Sequence, residues 1–221
     1  MKNVILVNRL DGMSRDAYRD HYERVHAPLG AKYFHFHKYV RSHVVESETD
    51  DVEFDCYGEF WPAASAAETA EVLKGPVAQI MVDDRALFMS TRRTGGNVEE
   101  VLLAGAPRGI DPLRTRREIL LLRRRPEASR DDYDAALRAI AEDLVVAGRA
   151  KRVILDRPVA GGPGLGNIQA DGILQIWPTG TAAVLRGLSH PTFDSFGWVA
   201  TESYETPPEQ LHASFGGTPP T

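Results

Sequence analysis

Between Asn3 and Leu29 the spacing of apolar residues changes from one period to another. Asn3 to Arg9 is a β-rich run. From Ser14 onward, Tyr18, Tyr22, Val25 and Leu29 recur at helical spacing and form one apolar stripe. Ser14 is placed to cap that helix by accepting from first-turn amides, and Pro28 should end or kink it for want of an amide donor. Strands follow at about Lys38 to Val45 and Val52 to Trp61. Pro62 then leads into a short helix near Ser65 to Leu73, and Val98 to Ala104 is the expected closing strand.

The same order recurs. Shifting the chain by 115 residues lays Ile5–Arg9 on Leu120–Arg124 and Ser14–Tyr18 on Ser129–Tyr133. A shift of 116 lays Phe60-Trp61-Pro62 on Ile176-Trp177-Pro178, and Asp55 on Asp171. The second stripe is Tyr133, Leu137, Ile140 and Leu144. Further strands are expected at Lys151 to Val159 and Gly172 to Trp177, a helix at Thr181 to Leu188, and a closing strand at Gln210 to Phe215. The fold class is therefore α+β. Two ferredoxin-like βαββαβ halves, 1–106 and 115–217 with 107–114 as linker, form an intramolecular α+β barrel of antiparallel sheets, burying the face that each half leaves bare.

The stretch Gly12 to Val45 holds five of the chain's seven histidines, His21, His26, His35, His37 and His43. Imidazole gains and loses its proton near neutral pH, so this is where acid–base chemistry is expected. Strand alternation puts His37, Tyr39, Arg41 and His43 on one face, and Lys38, Val40, Ser42 and Val44 on the other, which is aliphatic enough to lie under helices. Placing Phe54, Cys56, Gly58 and Phe60 under helices likewise points Asp55, Tyr57, Glu59 and Trp61 inward. The expected site is thus a barrel cavity shared by Tyr39, Arg41, His43, Asp55, Tyr57, Glu59 and Trp61. His43 would be the acid or base, Asp55 or Glu59 would orient it, and Tyr39 or Arg41 would steady an oxyanion. Trp61, Tyr57, Tyr22 and Asn8 would contact substrate. His26 sits at the helix end, where it could instead meet helix carbonyls, and His21 is read as a surface residue. In the second copy His26 falls on Ala141, His43 on Pro158 and Glu59 on Gln175, so the site should lie in the first half alone.

Composition narrows the classes. The 221 residues are 43% hydrophobic and 26% charged with net charge −5, a globular balance that argues against non-specific nucleic-acid binding. The arginines at Arg114–Arg117 and Arg123–Arg125 read as a solvated linker and strand end. Cys56 is the single cysteine, which excludes an intrachain disulfide or a zinc–cysteine site. The apolar run Val4–Val7 is too short for a signal or membrane segment, so a cytoplasmic protein with no membrane partner is expected. His35, His37 and His43 have no acidic ligand at diagnostic spacing, and no metal is expected. Gly161–Gly166 lacks the Lys-Ser/Thr ending of a phosphate loop, and no nucleophile elbow occurs, so neither a cofactor nor covalent hydrolysis is expected.

The run GMSRDAYRDHYERVHAPLG followed by YVRSHVV resembles the EthD family, a branch of the dimeric α+β barrel superfamily. Asp83-Asp84-Arg85-Ala86-Leu87-Phe88 is similar to the acidic, Phe-containing stretch its members carry before their last strand. The resemblance spans about residues 1–104 and is most specific over His26-Ala27-Pro28-Leu29. It implies a site role for His26 and a barrel that two chains usually build, here held within one chain that could still pair as a homodimer. It also implies cofactor-free proton transfer on an aromatic or polyketide-like small molecule: cyclisation, dehydration, isomerisation or decarboxylation. Related barrels support cofactor-independent monooxygenation, and a non-catalytic ligand carrier is the alternative of another class.

Overall fold

In the computed structural model, which describes residues 2–48, 54–64, 66–159 and 170–216, eight antiparallel strands close into a barrel. They are β1 (Lys2–Arg9), β2 (Phe36–Ser47), β3 (Cys56–Pro62), β4 (Met89–Gly105), β5 (Thr115–Arg124), β6 (Ala150–Pro158), β7 (Gly172–Pro178) and β8 (Phe193–Thr206). Their order around the barrel is β1-β3-β2-β8-β5-β7-β6-β4. Strands from residues 1–106 form one arc and those from 115–217 the other, joined along the β2–β8 and β4–β6 ladders. Closure leaves no free sheet edge.

The barrel interior is apolar at one end, where Leu6, Val44, Phe54, Ile119, Leu121, Ile173 and Val199 pack together. Its middle is ionic. Lys2 is 2.8 Å from Glu59 and Glu100 and 2.7 Å from Asp156. Arg117 is 2.7 Å from Glu59 and 2.6 Å from both Gln175 and Ser203, and it also donates to Ser42. Arg108, from the segment after β4, joins Glu59 at 2.7 Å and Glu100 at 2.9 Å, and its guanidinium lies 5.0 Å from the Trp61 ring and 5.3 Å from that of Trp177. Three cations thus face three carboxylates. Burial would push the Glu59 carboxyl up, but Arg108, Arg117 and Lys2 overcome it and hold the group well below the usual carboxylate range. For Asp156 burial wins over the offset from Lys2 and the Tyr57 hydroxyl, and its pKa is raised. Arg117, expected in a solvated run, is instead fully buried at the centre of the barrel. Its neighbour Arg114 is the solvated one.

The helices lie outside. In the first arc the path is α1 (Arg15–His21), a π-helical turn (Tyr22–His26) and α2 (Ala27–Tyr33), followed after β3 by α3 (Ala66–Val72) and α4 (Pro76–Ala86). Of the two outcomes expected of Pro28, an end or a kink, the helix does not end but is interrupted by the π turn. The turn before it is widened, with the Ala27 amide bonding the Tyr22 carbonyl, so Pro28 takes a first-turn position of α2 where no amide is needed. In the second arc α5 (Arg130–Val146) carries the Tyr133, Leu137 and Leu144 stripe onto β5, β6 and β7. The helix expected at Thr181–Leu188 is absent, and that segment is a chain of bends and turns. The Glu118 carboxylate holds it by accepting from the Val184 and Leu185 amides. The closing strand is β8 rather than Gln210–Phe215, which forms α6 (Pro208–Ser214) on the outside. Both errors arise because β8 contains Gly197 and polar residues on its exposed side, while Pro207 opens a helix. Val52, Ser65 and the Gly161–Gly166 run lie outside the described residues.

Equivalent bonds recur 115 to 116 residues apart. The Asp55 amide bonds the Val7 carbonyl at 2.8 Å, and the Asp171 amide bonds that of Leu122 at 2.8 Å. The Asp55 carboxylate accepts from the Arg9 amide at 3.0 Å, and Asp171 from the Arg124 amide at 2.8 Å. Ser14 and Ser129 each cap a helix at 3.1 Å.

Arg117→Met should destabilise the protein by about 3–5 kcal/mol in urea unfolding, because it removes one of the three cations that neutralise buried Glu59 and the donor shared by Gln175, Ser203 and Ser42. Arg24→Ala, which breaks the exposed pair with Asp20, should cost less than about 0.5 kcal/mol. Residues 1–106 expressed alone expose the edges of β2 and β4, and they remove Asp156 from Lys2 and both Arg108 and Arg117 from Glu59. Hydrogen exchange should show no fully protected monomer.

Candidate active site

Ladder register decides which residues meet. In β2–β3 pairing, Tyr39 stands opposite Phe60, Arg41 opposite Gly58 and His43 opposite Cys56, while Ser42 stands opposite Tyr57 and Val40 opposite Glu59. Directly opposed residues share a sheet face. Cys56 and Phe60 lie under the helices as expected, so Tyr39, Arg41 and His43 lie there too. The expected faces of β2 are therefore reversed. Val44 and Ser42 point into the barrel with Tyr57 and Glu59, and the cavity expected to unite all seven residues does not form.

The helix-side surface is the more reactive one. Tyr18, Tyr22, Ala27 and Ala31 of the α1–π–α2 path bury against Val7, Tyr39, Cys56 and Phe88. Fully burying a large apolar side chain stabilises by roughly 1.5–3 kcal/mol, so this stripe holds the helix in place. His26, at the end of the π turn, is 8% exposed, and its Nδ1 lies 2.6 Å from Oδ2 of Asp84 in α4. The other Asp84 oxygen is 2.9 Å from Nε2 of His21. His21 is neither a free surface residue nor remote from His26. Its ring stacks on Phe88 at 4.4 Å.

Burial lowers the His26 pKa by more than Asp84 raises it, which favours the neutral imidazole. Donation from Nδ1–H to the carboxylate then leaves the lone pair on Nε2. Nε2 has no hydrogen-bond partner among the described residues. His26 is among the residues lining a cavity of about 190 Å³, together with Tyr22, Phe34, Tyr39, Phe60, Met81 and Arg85. The Tyr22 ring meets the His26 ring edge-on at 5.0 Å. The Tyr39 hydroxyl donates to that of Tyr22 at 3.4 Å, and burial pushes both phenols up, so both stay protonated at neutral pH. Tyr22 can then donate onward to an oxygen bearing new negative charge.

His43 is differently placed. It is 2% exposed, its Nε2 is 2.7 Å from Glu23, and Glu23 in turn holds Arg41 at 2.5 Å. Burial lowers its pKa despite Glu23, so the single ring proton sits on Nε2, and the buried Nδ1 lone pair has no partner. Glu23, rather than Asp55 or Glu59, orients it. Asp55 pairs with the Arg9 and Arg15 side chains at a strand end, and its amide-accepting bond from Arg9 has its counterpart in Asp171 and the Arg124 amide. Tyr57 donates to Asp156 inside the barrel, and Trp61 lies at the barrel mouth 5.0 Å from the Lys2 ammonium. Asn8, on β1, is not among the lining residues of the His26 cavity. His35 stacks on Phe215 at 4.5 Å, away from His43. A larger opening of about 770 Å³ beside Lys2 and Trp61 is lined by charges engaged with one another, such as Lys2 with Glu100. Of the sequence candidates, His26, Tyr22 and Tyr39 come together. Asp84 and His21 were missed, although the acidic stretch Asp83–Phe88 marked the element that supplies the partner.

The EthD domain family profile matches residues 10–92, from the turn before α1 to the start of β4. This segment is an EthD domain. It supplies His26, Asp84, Tyr22 and Tyr39 alike. Among solved structures, an anthrone oxidase-like protein is 9% identical at a TM-score of 0.56, covering 93% of this chain and 92% of that one. A "putative chlorite dismutase" is 9% identical at 0.48, covering 96% and 97%. A "putative monooxygenase" from Lactobacillus acidophilus NCFM is 7% identical at 0.43, covering 92% of each chain. At these identities the first supports the barrel fold alone, and the other two carry no further argument. No curated protein matches the chain by sequence.

His26 and His43 have folded-state pKa values below the ordinary 6.5. The unfolded chain therefore binds more protons near and below that value, and stability falls as pH drops. Their contribution is complete above pH 6.5 and is lost as pH falls through the folded values. Urea midpoints measured from pH 7.5 to 5 should decline, and His43→Gln should flatten part of that decline while lowering stability at pH 7.5.

Proposed function

We propose that this protein catalyses proton transfer on a small ring-bearing molecule in the His26 cavity, with the EthD half active and the other half a structural partner. The observation that carries the reading is a buried imidazole at an aromatic-lined cavity, oriented by a carboxylate at 2.6 Å, whose second nitrogen is unengaged among the described residues. Nε2 takes the substrate proton, the electron pair moves into the substrate's carbonyl or ring, and the Tyr22 hydroxyl donates to the oxygen that becomes negative. The imidazolium then returns its proton at another atom. That sequence serves isomerisation, cyclisation or dehydration. The role first given to His43 passes to His26, because His43 is sealed and its proton is committed to Glu23.

A dry engineered cavity of about 150 Å³ accepts benzene, so about 190 Å³ suits one aromatic ring and its substituents. A fused polyketide skeleton would require α4 to move. The recurring strand-end clasps and helix caps support a further part of the reading, that the two arcs are ferredoxin-like copies of one unit. The second copy places Ala141 where His26 stands, which fits a half without catalysis. Oxygenation is the second reading, suggested by the name of the anthrone oxidase-like neighbour. Oxygen uptake during turnover separates the two.

His26→Gln should lower the rate of deuterium incorporation from D2O into an aryl 1,3-dicarbonyl probe by about 10²–10⁴-fold, with Asp84→Asn close behind. Folded His43→Gln should retain activity within a few-fold. Equal losses in His26→Gln and His43→Gln, with both still folded, would defeat the assignment.

A further inference from the structure

Asp84 serves two imidazoles with its two oxygens, Oδ2 to His26 Nδ1 at 2.6 Å and Oδ1 to His21 Nε2 at 2.9 Å. Positions five apart in an α-helix are rotated about 140° from each other and cannot share one partner of this size. The π-helical turn between them changes that. Its i to i+5 bonding, seen in the Ala27 amide to Tyr22 carbonyl contact, widens the turn and brings His21 and His26 towards one side. Such a turn gives up regular helix geometry, and here its result is the shared carboxylate. The His21 side chain is 23% exposed and that of His26 only 10%, so one imidazole of the pair meets solvent while the other meets the cavity.

We propose that His21 is a positioning residue that sets the proton affinity of His26 through Asp84, so that the three side chains titrate as one unit. One negative charge is shared by two bases. When His21 takes a proton from solvent, its positive charge draws on the Asp84 carboxylate and opposes a proton on His26. When His21 is neutral, the whole carboxylate charge serves His26. Among the described residues, the other charged or titratable groups facing the pair are Arg85 from α4, which also opposes a charge on His26, and the neutral phenols of Tyr22 and Tyr39. Coupled titration of this kind gives each group a two-step curve with inflections common to both. The consequence for catalysis rests on the acid–base reading of the His26 cavity, whereas the coupling itself does not.

The test follows the imidazole nitrogens by long-range proton–nitrogen correlation between pH 4.5 and 8, in the full chain and in His21→Gln. Expected in the unaltered protein are His26 and His21 curves with shared inflections and His26 keeping its proton on Nδ1. In His21→Gln the His26 curve should become single and move to higher pH. Superimposable His26 curves in the two proteins overturn the proposal. If His21→Gln does not fold, the unaltered protein decides alone, since independent single-step curves for the two histidines also overturn it. The acid limb of the deuterium-exchange rate should move to higher pH in His21→Gln, with the high-pH plateau kept. Coupled nitrogen curves with an unmoved acid limb would uphold the coupling and sink the catalytic reading of the cavity.

Discussion

Everything in this molecule is hung on a buried ionic cluster around Glu59. A barrel of eight strands could fill its interior with aliphatic side chains, as this one does at its Leu6 and Ile173 end. Its middle instead holds Lys2, Arg108 and Arg117 against Glu59, Glu100 and Asp156. Ions in a dry interior are tolerated only when each finds its counter-charge and its remaining hydrogen bonds. Arg117 shows how strict that demand is, since Glu59, Gln175, Ser203 and Ser42 all accept from it. Because the partners come from both arcs, the cluster joins them in one register. A slip of one residue would place its charges among aliphatic side chains outside.

A barrel locked from inside leaves its outer faces to differ. On the second arc, α5 covers a plain aliphatic surface of Leu120, Leu122, Val153 and Leu155. On the EthD arc, the corresponding surface is covered by a helical path that includes a π turn. The sheet beneath it presents Tyr39 and His43 instead of leucines. Here the packing is interrupted. His43 is absorbed into a closed network with Glu23 and Arg41, whereas His26 pairs with Asp84 and lines a cavity. Two histidines of the same strongly marked segment thus differ in surroundings, one closed in by Glu23 and Arg41 and the other lining a cavity.

The sequence by itself determined the elements whose signal is local. The Ser14 and Ser129 caps, the Tyr18–Tyr22 and Tyr133–Leu137 stripes and seven of the eight strands in outline were legible in periodicity and offset. The EthD likeness was carried by His26-Ala27-Pro28-Leu29. Tertiary structure alone decided which face of β2 looked inward, because alternation defines two faces and only the register with β3 says which is which. It decided that Arg117, one of several arginines in a charged run, is buried, since its neutralising Glu59 lies 58 residues away. It placed β8 where Gly197 and polar residues masked a strand, and turned the expected final strand into α6. It also brought Asp84 to His26 across 58 residues, a separation at which no local pattern connects a carboxylate to an imidazole. Periodicity records what a residue does for its own element, while charge pairing and cavity formation depend on elements that meet only when the barrel closes.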